Sequence, residues 1–424
     1  MRVSMICTLR VAARWLAGSA LVASAQDTSG TIVIRAATIL DGRGGRIPNG
    51  AIVVRGSRID AVLQGAQASA ASRGAAVYDL GDATILPGLI DGHVHPSWYF
   101  NARGRLHSRD DGDTPAQATL AIADNLRRMV MSGVTTAQSM GAAEDADFRD
   151  AIASGRIVGP TLLSTLGSVS NERFSPDSLR GYVRGRKAAG ADAIKIFASR
   201  SIRDSGTTTM NADQMQALCG EARALGLRTL VHAHSAESMR IATEAGCTQI
   251  EHGVFATQEV LTLMAQRGTF FSPQCGLIFR NYLENRARYE GIGNYNEAGF
   301  AAMERALPVA ANVVRLAANT PQLKLVWGTD AVAGAHGRQV DDLICRVREA
   351  GQAPMSAIVS ATSGAADALG RATSIGSIAT GYRADIIGVA GDPVARIEDL
   401  RRVTFVMTGG VVRKLEGAPT VRAP

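Results

Sequence analysis

Residues 86–100, LPGLIDGHVHPSWYF, end a run of apolar residues with two histidines that are one residue apart. The apolar run predicts a buried strand with a Pro-Gly break inside it, formed by Ile85, Leu86, Leu89 and Ile90. Side chains alternate between the two faces of a strand, so His93 and His95 would project to the same side. Such a pair is either a polar strand end at the surface or a pair of metal ligands, and other parts of the sequence are needed to distinguish the two.

The middle of the chain repeats this pattern of a buried strand followed by a helical segment. After the opening stretch, strand-like runs occur at GVTTAQSM (133–140), TLLSTLG (161–167), DAIKIFAS (192–199), RTLVHAHS (228–235), TQIEHG (248–253), TFFSPQ (269–274) and LKLVWGTDA (323–331). Helical patterns lie between most of them, for example in residues 211–226, where Asn211 is a candidate N-cap. Eight such units over about 280 residues predict a (β/α)8 barrel. A doubly wound open sheet is the alternative, although no Gly-x-Gly-x-x-Gly turn follows the first strand.

Both ends of the chain have a different character. Residues 31–84 and the runs ADIIGVAGDP (384–393) and VTFVMTGGVVRKL (403–415) are rich in β-branched residues and turn glycines, as in half-buried antiparallel sheets. We therefore predict one small β-sandwich built from residues 26–84 and 372–424, beside a barrel of residues 85–371. Neither terminal segment contains a histidine, so the sandwich is expected to supply no metal ligand.

The first 25 residues have the pattern of a secretory signal peptide. Arg2, Arg10 and Arg14 precede the apolar stretch WLAGSALVA, and residues 23–25 (Ala-Ser-Ala) form a small-x-small cleavage site. The mature protein is therefore expected to be exported, to the periplasm or the medium, with no segment that spans a membrane. A buried N-terminal helix is the alternative. Cleavage removes three arginines and no acidic residue, which lowers the formal net charge from +7 to +4. The remaining basic residues are scattered, so nucleic-acid binding has no support.

Four cysteines remain after the predicted cleavage: Cys219, Cys247, Cys275 and Cys345. Export permits disulfide bonds. Because these cysteines are widely spaced and lie in apolar contexts, the pattern indicates buried thiols rather than a disulfide framework or a zinc knot.

Polar side chains recur at the carboxyl ends of the predicted strands. Lys195 lies between Ile194 and Ile196 in the fourth strand, an unfavourable place for a free ammonium group. The fifth, sixth and eighth strands end in His232 and His234, in His252 and in Asp330. Each of these residues alone has a structural explanation, such as a helix cap for the aspartate. The strand ends of a barrel converge at one mouth, however, so together they predict a metal site with imidazole and carboxylate ligands.

The ordered motifs LPGLIDGHVH, IKIFAS, LVHAHS, IEHG and GTDA resemble the metal-dependent amidohydrolase superfamily. The resemblance extends over essentially the whole mature chain, because ILDGRGG and GYRADIIGVAGDP are similar to the family's composite sandwich. The pattern is most similar to the imidazolonepropionase-like and Xaa-Pro dipeptidase-like branch, which includes ochratoxinase-type carboxypeptidases. This resemblance implies a metal-dependent hydrolase that acts on the C–N bonds of amides or peptides.

The resemblance also implies a set of metal ligands. His93, His95 and Asp330 would hold the more buried of two divalent ions, and the second ion would be held by His232 and His252. Lys195 would bridge both as a carbamate formed with carbon dioxide, which a neutral lysine in an apolar strand can form. Zinc suits this set of ligands.

The expected reaction is attack on a carbonyl carbon by a hydroxide held between two metal ions roughly 3.5–4 Å apart. Asp330 would accept the proton and deliver it to the leaving group, and His234 would hydrogen-bond the developing oxyanion. The expected substrates are N-acyl amino acids or dipeptides, including aromatic amides of the ochratoxin type. Two alternatives stay open: a lactone, ester, imidazolone or phosphotriester hydrolase on the same site, and a non-catalytic exported metal-binding protein. A storage site needs no proton shuttle, so Asp330 argues against the last of these.

Substrate choice is expected to lie in the loops that follow the strands. Arg200 and Arg203 could bind a substrate carboxylate bidentately, or they are ordinary surface arginines. The SWYF stretch at 97–100 offers aromatic walls or ordinary packing. His336 could contact the substrate or hold its loop, and His107 has no assigned role. We also expect a homo-oligomer that acts on a small molecule.

Overall fold

The structure is a computed structural model that describes residues 30–71, 75–108, 110–170, 172–416 and 420–422. The predicted signal peptide, residues 1–25, lies outside these ranges. Among the described residues, no helix combines the length and the apolar character that crossing a membrane requires.

The strands, in chain order, are β1 (Ile32–Leu40), β2 (Arg46–Arg55), β3 (Arg58–Gln64), β4 (Ala76–Asp79), β5 (Thr84–Pro87), β6 (Leu89–Val94), β7 (Val134–Ser139), β8 (Thr161–Ser164), β9 (Ser168–Val169), β10 (Ala193–Phe197), β11 (Arg228–Ser235), β12 (Gln249–Phe255), β13 (Phe270–Ser272), β14 (Lys324–Leu325), β15 (Ile386–Val389), β16 (Val403–Thr408), β17 (Val411–Leu415) and β18 (Thr420–Arg422).

The helices are α1 (Ala66–Ala71), α2 (Pro115–Met131), α3 (Asp145–Ala153), α4 (Pro176–Ala188), α5 (Ala212–Ala224), α6 (Ala236–Glu244), α7 (Gln258–Arg267), α8 (Leu277–Glu284), α9 (Arg286–Tyr289), α10 (Glu297–Ala318), α11 (Val340–Arg348), α12 (Pro354–Ser360) and α13 (Ser363–Ala368). The predicted N-cap is confirmed at α5, where the Asn211 side chain accepts from the Gln214 N–H at 3.0 Å. The Gln214 side chain accepts from the Asn211 N–H in return, which completes a capping box.

The parallel strands of the middle region form two sheets that meet at two seams. One sheet contains β6, β7 and β8, and the other contains β9 to β14 in spatial order. At one seam the Asp330 N–H donates to the His93 carbonyl at 2.8 Å. At the other, the Asp192 N–H donates to the Ser164 carbonyl, also at 2.8 Å. Helices follow the strands around the outside, and the predicted (β/α)8 barrel is confirmed.

Strands from both ends of the chain share one further sheet, in the order β17-β16-β15-β5-β1-β2-β3, with β4 beside β1 and β18 beside β4. Its apolar face buries Ile34, Ile52, Ile386 and Phe405 together. The fold therefore includes the predicted sandwich built from both termini.

The chain passes from this sheet into the barrel at Gly88. The sequence predicts Ile85 and Leu86 as the beginning of the first barrel strand, and this is wrong, because both lie in β5 and pair with β15. The crossing requires glycine, since a Cβ at Gly88 would overlap the side chain of Thr135. The first barrel strand begins at Leu89 instead.

The prediction of buried free thiols is wrong, although the cysteines are buried. Cys219 is bonded to Cys247 and Cys275 to Cys345, with Cα atoms 5.0 and 5.8 Å apart. Each bond joins elements that the barrel places side by side, 28 and 70 residues apart in sequence. The spacing of the cysteines in the sequence does not predict which of these elements are neighbours in the fold.

Candidate active site

The carboxyl ends of the barrel strands open into one cavity of about 720 Å³. The barrel collects groups there that are distant in sequence, and every residue predicted as a metal ligand lines the cavity: His93, His95, Lys195, His232, His252 and Asp330. They lie on β6 and directly after it, on β10, β11 and β12, and in the segment that follows β14.

One cluster of these groups surrounds the Asp330 carboxylate. Asp330 Oδ1 lies 3.2 Å from His93 Nε2 and 3.0 Å from His95 Nε2. Burial by itself raises the pKa of Asp330, but His93 and His95 hold it well below its usual range. Asp330 is therefore ionised at neutral pH. A donor atom of His252 lies within 4.8 Å of those of His93 and Asp330, so a cation can contact all three.

A second cluster contains His232, His234 and His252. Their donor atoms lie within 4.8 Å of one another, and the rings of His232 and His252 are 4.5 Å apart between centroids. Burial lowers the pKa of His234 to about 3 and those of His232 and His252 well below their usual value. Neutral imidazoles keep a lone pair, which a metal ion needs. His252 belongs to both clusters, so the two candidate sites adjoin each other.

Lys195 lies beside these clusters with an unsatisfied amine. Its side chain is 1% exposed, and within the described residues its Nζ has no hydrogen-bond partner. Burial lowers the pKa of Lys195, which favours the neutral amine. Burying a polar group without a hydrogen-bond partner costs free energy. The buried Lys195 amine therefore indicates that a further group binds beside it in the cavity.

Two of the candidate ligands have strained backbones. His252 has φ 71° and Asp330 has φ 57°, in the left-handed region that non-glycine residues rarely adopt. Such conformations cost of order 1–3 kcal/mol each and persist where the surrounding structure imposes them, commonly at functional sites. The strain is located where the two side chains turn into the cavity.

Supporting residues beneath the histidines were not predicted from the sequence. His93 Nδ1 lies 2.8 Å from Glu251 Oε2, and Glu251 is fully buried. The Asp91 carboxylate accepts from the N–H and the hydroxyl of Thr329, which follows β14, and burial raises the pKa of Asp91 to about 7. Metal-binding histidines commonly donate their second N–H to a carboxylate, as His93 can to Glu251. The signal in the sequence was a carboxylate one or two residues before a candidate ligand in a strand, in LIDGHV and in QIEHGV.

The donor set suits divalent ions of the zinc type. Imidazole nitrogens and a carboxylate oxygen are the ligands that such ions take in proteins, and the carboxylate below His93 supplies the usual outer support. The Lys195 amine, which lacks a hydrogen-bond partner, supports the same conclusion. If it is converted to an anionic group, nearby cations would offset the free-energy cost of burying it.

The two arginines predicted to contact the substrate both line the cavity but differ in their surroundings. Arg200 lies at the rim with its side chain 56% exposed, 3.5 Å from the Glu172 carboxylate. The Arg203 guanidinium lies over the Tyr295 ring at 4.2 Å, and its Nε donates to Asn294 at 2.7 Å. Arg203 is thus the one that packing holds in a fixed orientation.

The remaining predicted contacts divide between cavity and core. Of the SWYF stretch, only Trp98 lines the cavity, whose other aromatic walls include Phe279 and Tyr282 of α8. His234 also lines it, whereas His336 is buried outside it against the backbone of His95. This placement agrees with the alternative that His336 holds its loop.

His107, which had no assigned role, also lies outside the cavity lining. Its Nδ1 is 2.7 Å from Asp111 Oδ2, and its ring stacks on that of Tyr99 at 4.5 Å. These contacts account for His107 as part of the loop after β6.

Comparison with known proteins agrees with this site. Residues 84–413 match the amidohydrolase family. Ochratoxinase of Aspergillus niger is 24% identical over 451 residues, covering 94% of this chain and 89% of that protein. The crystal structure of a Xaa-Pro dipeptidase with methionine bound in its active site superposes with a TM-score of 0.79 at 25% identity, covering 91% of this chain and all of the other. The crystal structure of A. niger ochratoxinase has the same fold, with a TM-score of 0.75 at 21% identity over 91% and 96% of the two chains.

The family match spans most of the chain and includes every strand that carries a candidate ligand. Enzymes of this family generally use divalent metal ions, in agreement with the donor clusters described above. The chain therefore belongs to the amidohydrolase family and is a hydrolytic enzyme that acts on amide bonds.

Proposed function

We propose that this enzyme binds two divalent metal ions and hydrolyses the amide bond of N-acyl amino acids or dipeptides whose amino acid has a free carboxylate. The observation that carries the proposal is the convergence of imidazoles, a carboxylate and the unpartnered Lys195 amine in one cavity.

His93, His95 and Asp330 would hold one ion and His232 and His252 the other, with Lys195, carboxylated by carbon dioxide, shared between them. Imidazole, carboxylate and carbamate ligands favour zinc. Ions bound there would supply Lewis acidity, which polarises a carbonyl group and lowers the pKa of water.

Two side chains have additional roles in the proposed reaction. Asp330 is held as a carboxylate by His93 and His95, so it can accept a proton and return it to the leaving nitrogen. His234 lies 5.0 Å from His252 between ring centroids and faces the same cavity. A neutral imidazole can donate one hydrogen bond, and we assign that bond to the oxygen of the carbonyl under attack.

Arg203 is our candidate for binding the substrate carboxylate. Its Nε donates to Asn294, and its two terminal nitrogens would make the bidentate contact with the carboxylate. Trp98, Phe279 and Tyr282 offer an apolar wall for the rest of the molecule. A dipeptidase with a bound amino acid and an ochratoxinase among the similar proteins support this class of substrate. We further propose that the enzyme is exported after removal of residues 1–25 and assembles as a homo-oligomer.

The proposed substrate class is tested with a matched pair, an N-acyl-phenylalanine and the same compound with its carboxylate masked as an amide. Masking should lower kcat/KM by at least about thirtyfold, since roughly 2 kcal/mol of transition-state stabilisation from a charged hydrogen bond is lost. The Arg203→Met variant should lose this preference. Arg200→Met, whose arginine is paired with Glu172 at the rim, should keep it. Equal turnover of both compounds by the unaltered enzyme would leave only a general hydrolase.

A further inference from the structure

The side chain of Gln274 lies directly behind a candidate metal ligand. It follows β13, is 3% exposed, and its Oε1 is 2.7 Å from His252 Nδ1. Its Nε2 donates to the carbonyl oxygens of Ser272 at 3.1 Å and Gly328 at 3.0 Å. Neither the amino acid sequence motifs nor the donor clusters identify this residue.

These contacts fix the orientation of the Gln274 amide. Two backbone carbonyls can only accept hydrogen bonds, so the group that faces them must be the NH2. A flipped amide would place Oε1 against the oxygens of Ser272 and Gly328. Oε1 therefore faces His252, and because this oxygen can only accept, the proton lies on His252 Nδ1.

This arrangement determines which ring nitrogen of His252 is free. A neutral imidazole with its proton on Nδ1 has its lone pair on Nε2. We propose that Gln274 is a positioning residue that holds His252 as the Nδ1–H tautomer, with Nε2 available to a metal ion. The inference rests on the proposed metal-dependent hydrolase and concerns the preparation of one of its ligands.

The backbone around Gln274 is anchored to keep that side chain in place. The Cys275 N–H donates to Asp342 Oδ1 at 2.7 Å, and Cys275 is bonded to Cys345 of α11. Asp342 accepts from Arg346 Nε at 2.9 Å, and both of these side chains are fully buried. Arg346 also donates to the carbonyl of Pro273.

Gln274 connects the ligands of two strands. One end of its amide holds His252 within β12, the sixth barrel strand, and the other holds Gly328, two residues before Asp330. His252 and Asp330 are also the two candidate ligands with left-handed backbones. One side chain thus secures the places where both strained residues turn into the cavity.

The test uses the mature chain with histidine labelled in its ring nitrogens. In protein stripped of metal by a chelator, long-range ¹⁵N–¹H spectra distinguish the two tautomers, and a His252→Gln variant identifies the His252 signal. We expect the Nδ1–H tautomer in the unaltered chain and a mixture of tautomers in Gln274→Met. Since this readout needs neither metal nor turnover, it remains decisive even if the proposed hydrolase activity is wrong.

Zinc binding supplies the second measurement. Competition with a chromophoric chelator should show that Gln274→Met binds one zinc ion about 10–100-fold more weakly, the usual loss when an outer partner of a histidine ligand is removed. Gln352→Met is the control, since it also replaces a buried glutamine but, among the described residues, one whose side chain makes no hydrogen bond to a candidate ligand, and it should bind zinc normally. An Nε2–H signal for His252 in the unaltered chain, or unchanged zinc affinity in Gln274→Met, would overturn the proposal.

Discussion

Lys195→Ala is expected to lower kcat/KM by about a thousandfold or more, equivalent to roughly 4 kcal/mol of transition-state stabilisation. The residue is the group that both proposed ions would share, and its amine has no hydrogen-bond partner among the described residues. The same variant should retain less metal after dialysis, which elemental analysis measures directly.

Two comparisons make the Lys195 result specific. Lys187→Ala removes an exposed lysine in the last turn of α4 and should change neither metal content nor rate. Short carboxylic acids such as acetate or propionate should restore part of the activity of Lys195→Ala, because they can occupy the space and supply the oxygen ligands of a carbamate. Full metal content and full rate in Lys195→Ala would show that the residue does not bridge the ions.

Asp330→Asn is expected to lower kcat by about a thousandfold while much of the metal is kept. The amide oxygen of asparagine can still serve as a ligand, but the neutral group cannot accept and return a proton. Steady-state kinetics with N-acyl-phenylalanine, paired with metal analysis of the same sample, would separate the two functions.

The exposed carboxylate of Asp367 offers the matched control for Asp330. Asp367→Asn should leave the rate unchanged, because its exposed carboxylate pairs with Lys324 at the surface, away from the cavity lining. If Asp330→Asn keeps its full rate, the proton transfer belongs to another group.

The barrel could be predicted because eight buried strand-like runs alternate with helical segments in the middle of the chain. His93, Lys195, His252 and Asp330 mark strand ends that the barrel brings to one mouth. The candidate site could be predicted because such residue types are unusual in apolar strands. A lysine between two isoleucines, for example, has few structural explanations. The position of each residue in a predicted strand and its side-chain type were together sufficient to predict the candidate site.

The departures arose where spatial neighbours decide the outcome. The hydrophobicity of Ile85 and Leu86 suits a barrel strand and a terminal strand equally, and the close approach of Thr135 to Gly88 decides between them. The cysteine pairs depend on which outer elements lie side by side. Glu251 lay inside a motif already noted, but only the contact with His93 shows what it does.

The cavity walls were the least predictable part of the site. The SWYF stretch contributes Trp98, while Tyr99 stacks on His107 instead. Phe279 and Tyr282 come from α8, which follows the seventh strand and carries no recognisable binding motif. Loop conformation determines which aromatic side chain faces a cavity, and no short sequence pattern specifies it.

The central claim is tested most directly by titrating metal-free enzyme with zinc while measuring hydrolysis of N-acyl-phenylalanine. We predict that the chelated protein is inactive and that activity rises until two equivalents of zinc per chain are bound, with both equivalents found by elemental analysis. Full hydrolysis by the metal-free chain, or saturation of activity and binding at a single equivalent, would contradict the two-metal hydrolase.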